Sequence, residues 1–316
     1  MNDTMSVRDF AQNFDAILTN VSRALMGKEN VIRLALTAMM ARGHLLIEDA
    51  PGTGKTALAR SIAASVEASS SRIQFTPDLL PSDITGVTMF DQRTGAWNFH
   101  PGPIFAQVVL ADEINRASPK TQSALLEVME EGHVTVDGTA YPAPQPFMVI
   151  ATQNPIEQAG TYPLPEAQLD RFMMKIQVGF PSADVGVAVL AGANLADRAA
   201  ELTPVVDAST VSAMIATAAE IHASNDILTF VWALAQATRE DPETRLGVSI
   251  RGALAMVRAA KVWAGIDGRD YVIPDDVLQL VSHMWQHRIV LDPDAQFSGA
   301  TAELVLERAR TKVSAP

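Results

Sequence analysis

The 316-residue chain has no cysteine, which excludes a disulfide framework, a thiol nucleophile and any cysteine-ligated zinc or iron–sulfur centre. Basic residues are scarce beside acidic ones, 24 against 36. The resulting charge of −12 argues against a dedicated nucleic-acid binder, whose affinity would come mostly from neutralising phosphates. Long apolar runs are missing as well. The most apolar stretch, residues 31–47, is broken by Arg33, Arg42 and His44, so no membrane span is expected. Asp3, Arg8, Asp9 and Asp15 interrupt any apolar N-terminal stretch that could act as a secretory signal, and a cytoplasmic protein is expected. What is present is globular composition, 48% hydrophobic and 19% charged, with enough length for about two domains.

Residues 6–26 read as an amphipathic helix, because Phe10, Phe14, Ile17, Leu18, Val21 and Leu25 recur at three- and four-residue spacing. A second helical stretch, residues 30–41, leads into the apolar run His44-Leu45-Leu46-Ile47. Further runs occupy residues 104–111 and 146–152; short runs without alternation fit strands covered on both faces. Helical patterns at residues 57–68 and 121–131 lie between them. The alternation predicts an α/β fold, a parallel sheet sandwiched by helices. Two β-hairpins interrupt it. One pairs residues 86–90 with 96–99 around a turn ending in Gly95, and the other pairs 134–136 with 139–141 around Asp137-Gly138. From Asp184 onward only helical patterns are visible. We therefore expect a core over residues 1–181 and an all-helical C-terminal lid over residues 182–316.

Pro51-Gly52-Thr53-Gly54-Lys55-Thr56 stands after a strand and before a helix, the setting of a phosphate-binding P-loop. The glycines let backbone N–H groups close around phosphate oxygens, and the helix N-terminus adds positive partial charge. Lys55 would reach the β- and γ-phosphates of ATP, and the Thr56 hydroxyl would ligate Mg2+. The candidate nucleotide-binding stretch is Asp49, Ala50, Pro51, Gly52, Thr53, Gly54, Lys55, Thr56 and Ala57, with Asp49 where the general motif has glycine. Residues 108–113 form an apolar strand ending in two acids. Asp112 could hold the metal through water, and Glu113 could polarise the attacking water. Asn154 follows the third strand and could orient that water, although Asn-Pro is also an ordinary turn starter.

At these residues the chain resembles the AAA+ ATPases, and within them the MoxR family. The resemblance runs through most of residues 24–290. It includes residues 75–86 (FTPDLLPSDITG), 111–117 (ADEINRA), 151–155 (ATQNP), 164–172 (LPEAQLDRF) and 268–274 (GRDYVIP). The acidic Glu48-Asp49 start of the P-loop is common among MoxR-like sequences. By position, the resemblance implies Walker A roles for Lys55 and Thr56, Walker B roles for Asp112 and Glu113, and a sensor-1 role for Asn154. It makes Arg171 the arginine finger given to a neighbouring subunit's nucleotide, with Arg116 as a second arginine able to reach a neighbour, and Arg251 the sensor 2 of the lid. It also implies a homo-oligomer, a hexameric ring, acting as a chaperone or remodelling motor on a protein client. The two hairpins would face that client. The usual partner is a von Willebrand factor A domain protein, in maturation or in metal or cofactor insertion.

Two assignments have a physical argument of their own. A guanidinium offered across an interface stabilises charge on the transferred phosphoryl group; Arg171 could instead pair with Asp170 or Glu166. Ser249 reads as a helix N-cap, which puts Arg251 in the first turn, where the helix dipole disfavours a cation. A nearby phosphate would offset that, and a solvated arginine is the plain alternative. Among rivals, His283 and His287 have zinc-helix spacing but lack the glutamate after the first histidine. A chelatase-type motor inserting magnesium into a porphyrin would share nearly every motif. A nucleic-acid motor is opposed by the charge, and a non-hydrolysing nucleotide-binding scaffold would have no use for Glu113.

Overall fold

Leu45, Leu46 and Ile47 are all buried but belong to two different clusters: Leu45 and Ile47 face one side, Leu46 the other. Val108 and Leu110 against Val109 and Ala111, and Met148 and Ile150 against Val149 and Ala151, divide in the same way. Apolar side chains on both faces of a strand demand cover on both sides, and the fold supplies it. In the computed structural model, which describes residues 4–50, 52–154, 161–191 and 198–316, five parallel strands form the central sheet. They are β1 (Leu45–Glu48), β2 (Ser70–Gln74), β5 (Val108–Asp112), β8 (Met148–Gln153) and β9 (Met174–Ile176), in the order β2-β5-β8-β1-β9.

One face carries α1 (Val7–Ala24), α2 (Glu29–Met40) and α3 (Lys55–Ser65), and the other carries α4 (Pro81–Thr85) and α5 (Pro119–Glu131). Ser6 caps α1, whose Phe10, Phe14, Ile17 and Val21 are fully buried, as their spacing predicts. Two antiparallel hairpins stand off the sheet: β3 (Gly86–Asp91) with β4 (Ala96–Pro101), and β6 (His133–Val136) with β7 (Thr139–Pro142). Asp137 and Gly138 both have positive φ, the two-residue turn that this dipeptide favours.

The structure differs from the sequence expectation in three places. The run at residues 104–111 becomes strand only from Val108, because Ile104 N is used on Ile84 O to close the base of the first hairpin. The strands β2 and β9 were not expected. The C-terminal part is not purely helical either. The short α6 (Glu166–Leu169) precedes β9; besides α7 (Ala183–Ala191), α8 (Ala208–Glu220), α9 (Asn225–Arg239), α10 (Ile250–Ile266), α11 (Pro274–Trp285), α12 (Pro293–Phe297) and α13 (Ala302–Lys312), the C-terminal part holds a small antiparallel pair. That pair joins β10 (Thr244–Leu246) to β11 (Val290–Leu291). The helices α8 to α11 share one apolar cluster with α1, α2 and α3, so the C-terminal helices rest on the same face of the sheet as the N-terminal ones.

Candidate nucleotide-binding site

Strand register gathers the site. Gln74 lies beside Asp112, Ala111 beside Ala151, and Glu48 beside Gln153, so the C-terminal ends of β2, β5, β8 and β1 converge on one edge of the sheet. In open α/β sheets that edge is where ligands bind. Gly52 and Gly54 have φ of +83° and +97°, which glycine adopts without strain, and α3 starts directly after Gly54 with no side-chain cap. The uncapped N–H groups open onto a cavity of about 550 Å3. Gly52, Gly54, Lys55 and Thr56 line one side of it, and Arg72, Gln74, Asp112, Glu113 and Asn154 the other.

Lys55 Nζ donates to Asp49 O at 2.8 Å, a contact that a phosphate oxygen can replace. Thr53 is buried and donates to Ala50 O, and Ala57 packs against the core. Pro51 lies outside the described residues. Asp49, expected in the nucleotide-binding stretch, uses its carboxylate within the chain. Its carboxylate accepts from Val178 N (2.9 Å), Gly179 N (2.6 Å) and Ala50 N (2.8 Å), fastening the start of the loop to the chain after β9. A carboxylate held this way stabilises the loop without placing a like charge against phosphates.

Asp112 and Glu113 are held by a net of short contacts. Thr152 Oγ1 donates to Asp112 Oδ1 (2.6 Å) and accepts from Glu113 N (2.9 Å). Asp112 Oδ2 accepts from Arg72 Nη2 at 2.7 Å, so a guanidinium stands where a cation belongs. Glu113 Oε2 accepts from Gln74 Nε2 (2.9 Å) and Arg116 Nη1 (3.0 Å). Glu113 itself has φ 56° and ψ 49°, a left-handed backbone that costs a non-glycine residue roughly 1–3 kcal/mol and that tends to occur at functional sites. Thr56 and Asp112 are hard oxygen donors on one cavity, the set that suits Mg2+ completed by water and phosphate.

Arg171 and Arg251 are elsewhere. Because β9 runs parallel to β1, residues preceding β9 lie at the opposite edge of the sheet from the loop that follows β1. Arg171 precedes β9, and its Nε pairs with Glu130 Oε2 at 3.1 Å. Arg251, capped into α10 by Ser249, pairs with Oε1 of the same carboxylate and lines a separate groove between α2, α8 and α10. The anion beside the start of α10 is thus Glu130, where a phosphate had been expected. Glu130 belongs to the same edge, since the neighbouring Met129 O contacts His44 Nε2 just before β1. Asp170 and Glu166, the expected alternatives for Arg171, are taken by Arg288 and Arg245. Arg116 stays at the edge of the phosphate cavity, on Glu113.

Residues 44–174 match the ATPase family associated with various cellular activities (AAA), and residues 236–309 match the AAA lid domain. The uncharacterized protein YeaC of Bacillus subtilis is 46% identical over 94% of this chain and 93% of its own length. The chaperone MoxR1 of Mycobacterium tuberculosis is 38% identical over 94% of this chain and 80% of its own. The chain belongs to the MoxR family of AAA+ ATPases. A crystal structure from Cytophaga hutchinsonii, assigned to an ATPase, superposes with a TM-score of 0.91 at 34% identity, over 98% of this chain and 97% of that one. As a MoxR-family ATPase the chain binds nucleotide and hydrolyses ATP. Among the described residues no helix is long and apolar enough to cross a membrane.

Three residues around the phosphate cavity escaped the reading of the sequence, Arg72 and Gln74 on β2 and Thr152 on β8, as did Glu130 of α5 at the opposite edge. The available signals were position: Thr152 lies within the 151–155 motif, and Gln74 directly precedes the 75–86 motif.

Proposed function

We propose that the chain works as a homo-oligomeric, hexameric ring in which each ATP site is completed by the next subunit, and that the ring remodels a protein client. One observation carries this reading: Lys55, Asp112 and Glu113 share one cavity, while Arg171 and Arg251 sit together at the opposite edge of the sheet. Such a pair lies away from its own chain's cavity, and a head-to-tail neighbour would present it to the next site.

In that arrangement the residues Gly52 to Ala57 cradle the phosphates and Lys55 leaves Asp49 O for them. Mg2+ bound by Thr56 and Asp112 would offset phosphate charge. Arg72 gives up Asp112 as the site fills. Glu113, released from Gln74 and Arg116, takes a proton from the attacking water, and Asn154 orients that water. Arg171 and Arg251 of the neighbour exchange Glu130 for the developing charge on the transferred phosphoryl group, an effect that arginine fingers bring to about 10³- to 10⁵-fold in rate.

The first hairpin supports the client reading. Met89, Phe90 and Trp97 are exposed on it, Trp97 to 70%, and such an apolar patch on a standing hairpin fits contact with another protein. A von Willebrand factor A domain protein is the partner we expect, with maturation or metal or cofactor insertion as the task. The test is the mass of Glu113→Gln in saturating ATP by light scattering. A closed multiple of the 33.9 kDa chain supports the ring, and a monomer that retains ATP contradicts it. Deleting residues 96–99 should leave ATP turnover and remove client work; a client assay unchanged by the deletion sinks the role of the hairpin.

A further inference from the structure

Arg288 lies in the turn after α11 and is 5% exposed. Besides contacts with Met284 O and His287 Nε2, its guanidinium reaches the few residues around Arg171. Nε donates to Asp170 Oδ1 (2.8 Å), Nη2 to Asp170 O (3.1 Å) and Phe172 O (2.6 Å), and Nη1 to Met173 O (3.1 Å). The residues on either side of Arg171 are therefore gripped by one planar group of the C-terminal helices. Asp170 also accepts from Ser249 Oγ at 2.9 Å, and Ser249 is the cap of the helix that carries Arg251. One carboxylate thus receives both arginine-bearing segments. The closeness is built in: a Cβ at Gly252 would come within 2.8 Å of Arg288 Cδ, and Trp285 Nε1 donates to Gly252 O at 3.0 Å.

Packing alone does not call for this. A buried ion pair often gives no more stability than apolar side chains of the same volume, so a buried arginine spread over several backbone and side-chain acceptors serves geometry. Lysine could not replace it, having a point charge where a fork is needed. We infer that Arg288, acting with Asp170, is the positioning residue that sets Arg171 and Arg251 as one rigid pair for the neighbouring subunit's phosphate. Movement of the C-terminal helices is thereby carried into the neighbour's active site. The inference rests on the proposal that these arginines act in the next subunit.

Mixing experiments separate the two. Arg288→Gln alone should bind ATP through its intact P-loop and lose turnover, with kcat down by about 10²-fold, as misplacement of a catalytic group by 1 Å can cause, and KM changed far less. Its per-subunit rate should recover when it is mixed with excess Glu113→Gln, which cannot hydrolyse but lends an intact arginine pair. Arg171→Ala, mixed in the same way, is the control. If Arg171→Ala is rescued and Arg288→Gln is not, Arg288 does not act through the pair and the inference falls. Wild-type kcat in Arg288→Gln overturns it equally. If neither is rescued, the arginines do not act in a neighbour, and both readings fall. Asp170→Asn, which keeps the acceptor's shape without its charge, is run in parallel and must show the same rescue should Arg288→Gln fail to retain nucleotide.

Discussion

At the scale of single residues, Lys55 and Glu113 have separable tasks on one cavity. Lys55→Ala should abolish ATP binding, measured by titration with a fluorescent nucleotide; tight binding by the variant refutes the cradle. Glu113→Gln should bind ATP and hydrolyse it at least 10²-fold more slowly, the lower range for a general base, and a near-normal rate removes it from that role. Both residues were legible in the sequence because a phosphate cradle and a pair of acids on a strand end need neighbouring residues in fixed order. Arg72, Gln74 and Glu130 were not, since each reaches its partner only through strand register or a helix packed across the sheet. His44 is a different kind of residue. Burial lowers its pKa from 6.5 to about 4, and the neutral ring accepts from Val149 N and donates to Met129 O. The unfolded chain then binds a proton that the folded one refuses, so His44 should cost stability as pH falls from 6.5 to about 4, by roughly 3 kcal/mol at the acid end. The buried His287 acts in the same direction. Thermal melts across that window should show the loss in wild type and a shallower slope in His44→Gln; equal slopes contradict the assignment.

At the scale of elements, the two hairpins are joined in a way the turn signals did not reveal. Phe99 of β4 stacks on Tyr141 of β7 with ring centroids 4.1 Å apart, and meets Phe105 edge-on at 5.7 Å. A stacked pair adds about 0.5–1.5 kcal/mol beyond its buried area. Phe99→Ala should therefore speed hydrogen exchange in both hairpins while the amides of the central sheet stay protected; a change confined to the first hairpin would mean the joint carries nothing. The hairpins themselves were readable from Gly95 and Asp137-Gly138. Strand β2 was not, because Ser70-Ser71-Arg72 lies at the sheet edge and offers no apolar run. Strand β9 is three residues with a lysine at its centre, and β10 and β11 are shorter than any pattern can mark. The long helices were easier, since a buried face repeats along their length: Phe10, Phe14, Ile17 and Val21 of α1 are an example.

At the scale of the whole molecule, the parallel sheet separates the two sets of charged residues on which the proposed mechanism rests. It puts the phosphate cavity at one edge and the Arg171–Glu130–Arg251 cluster at the other, and under the proposed function one copy would hold both halves of an active site without joining them. The proposed ring would close that gap by repetition, and its rate would then depend on how many neighbours each subunit finds. The measurement that tests this most directly is the ATPase rate per subunit against protein concentration, for wild type and for Arg171→Ala. The account predicts a rate that climbs with concentration in wild type and stays near zero in a mutant that still binds ATP. A flat rate, equal in both proteins, would mean that each site is complete within its own chain, and would contradict it.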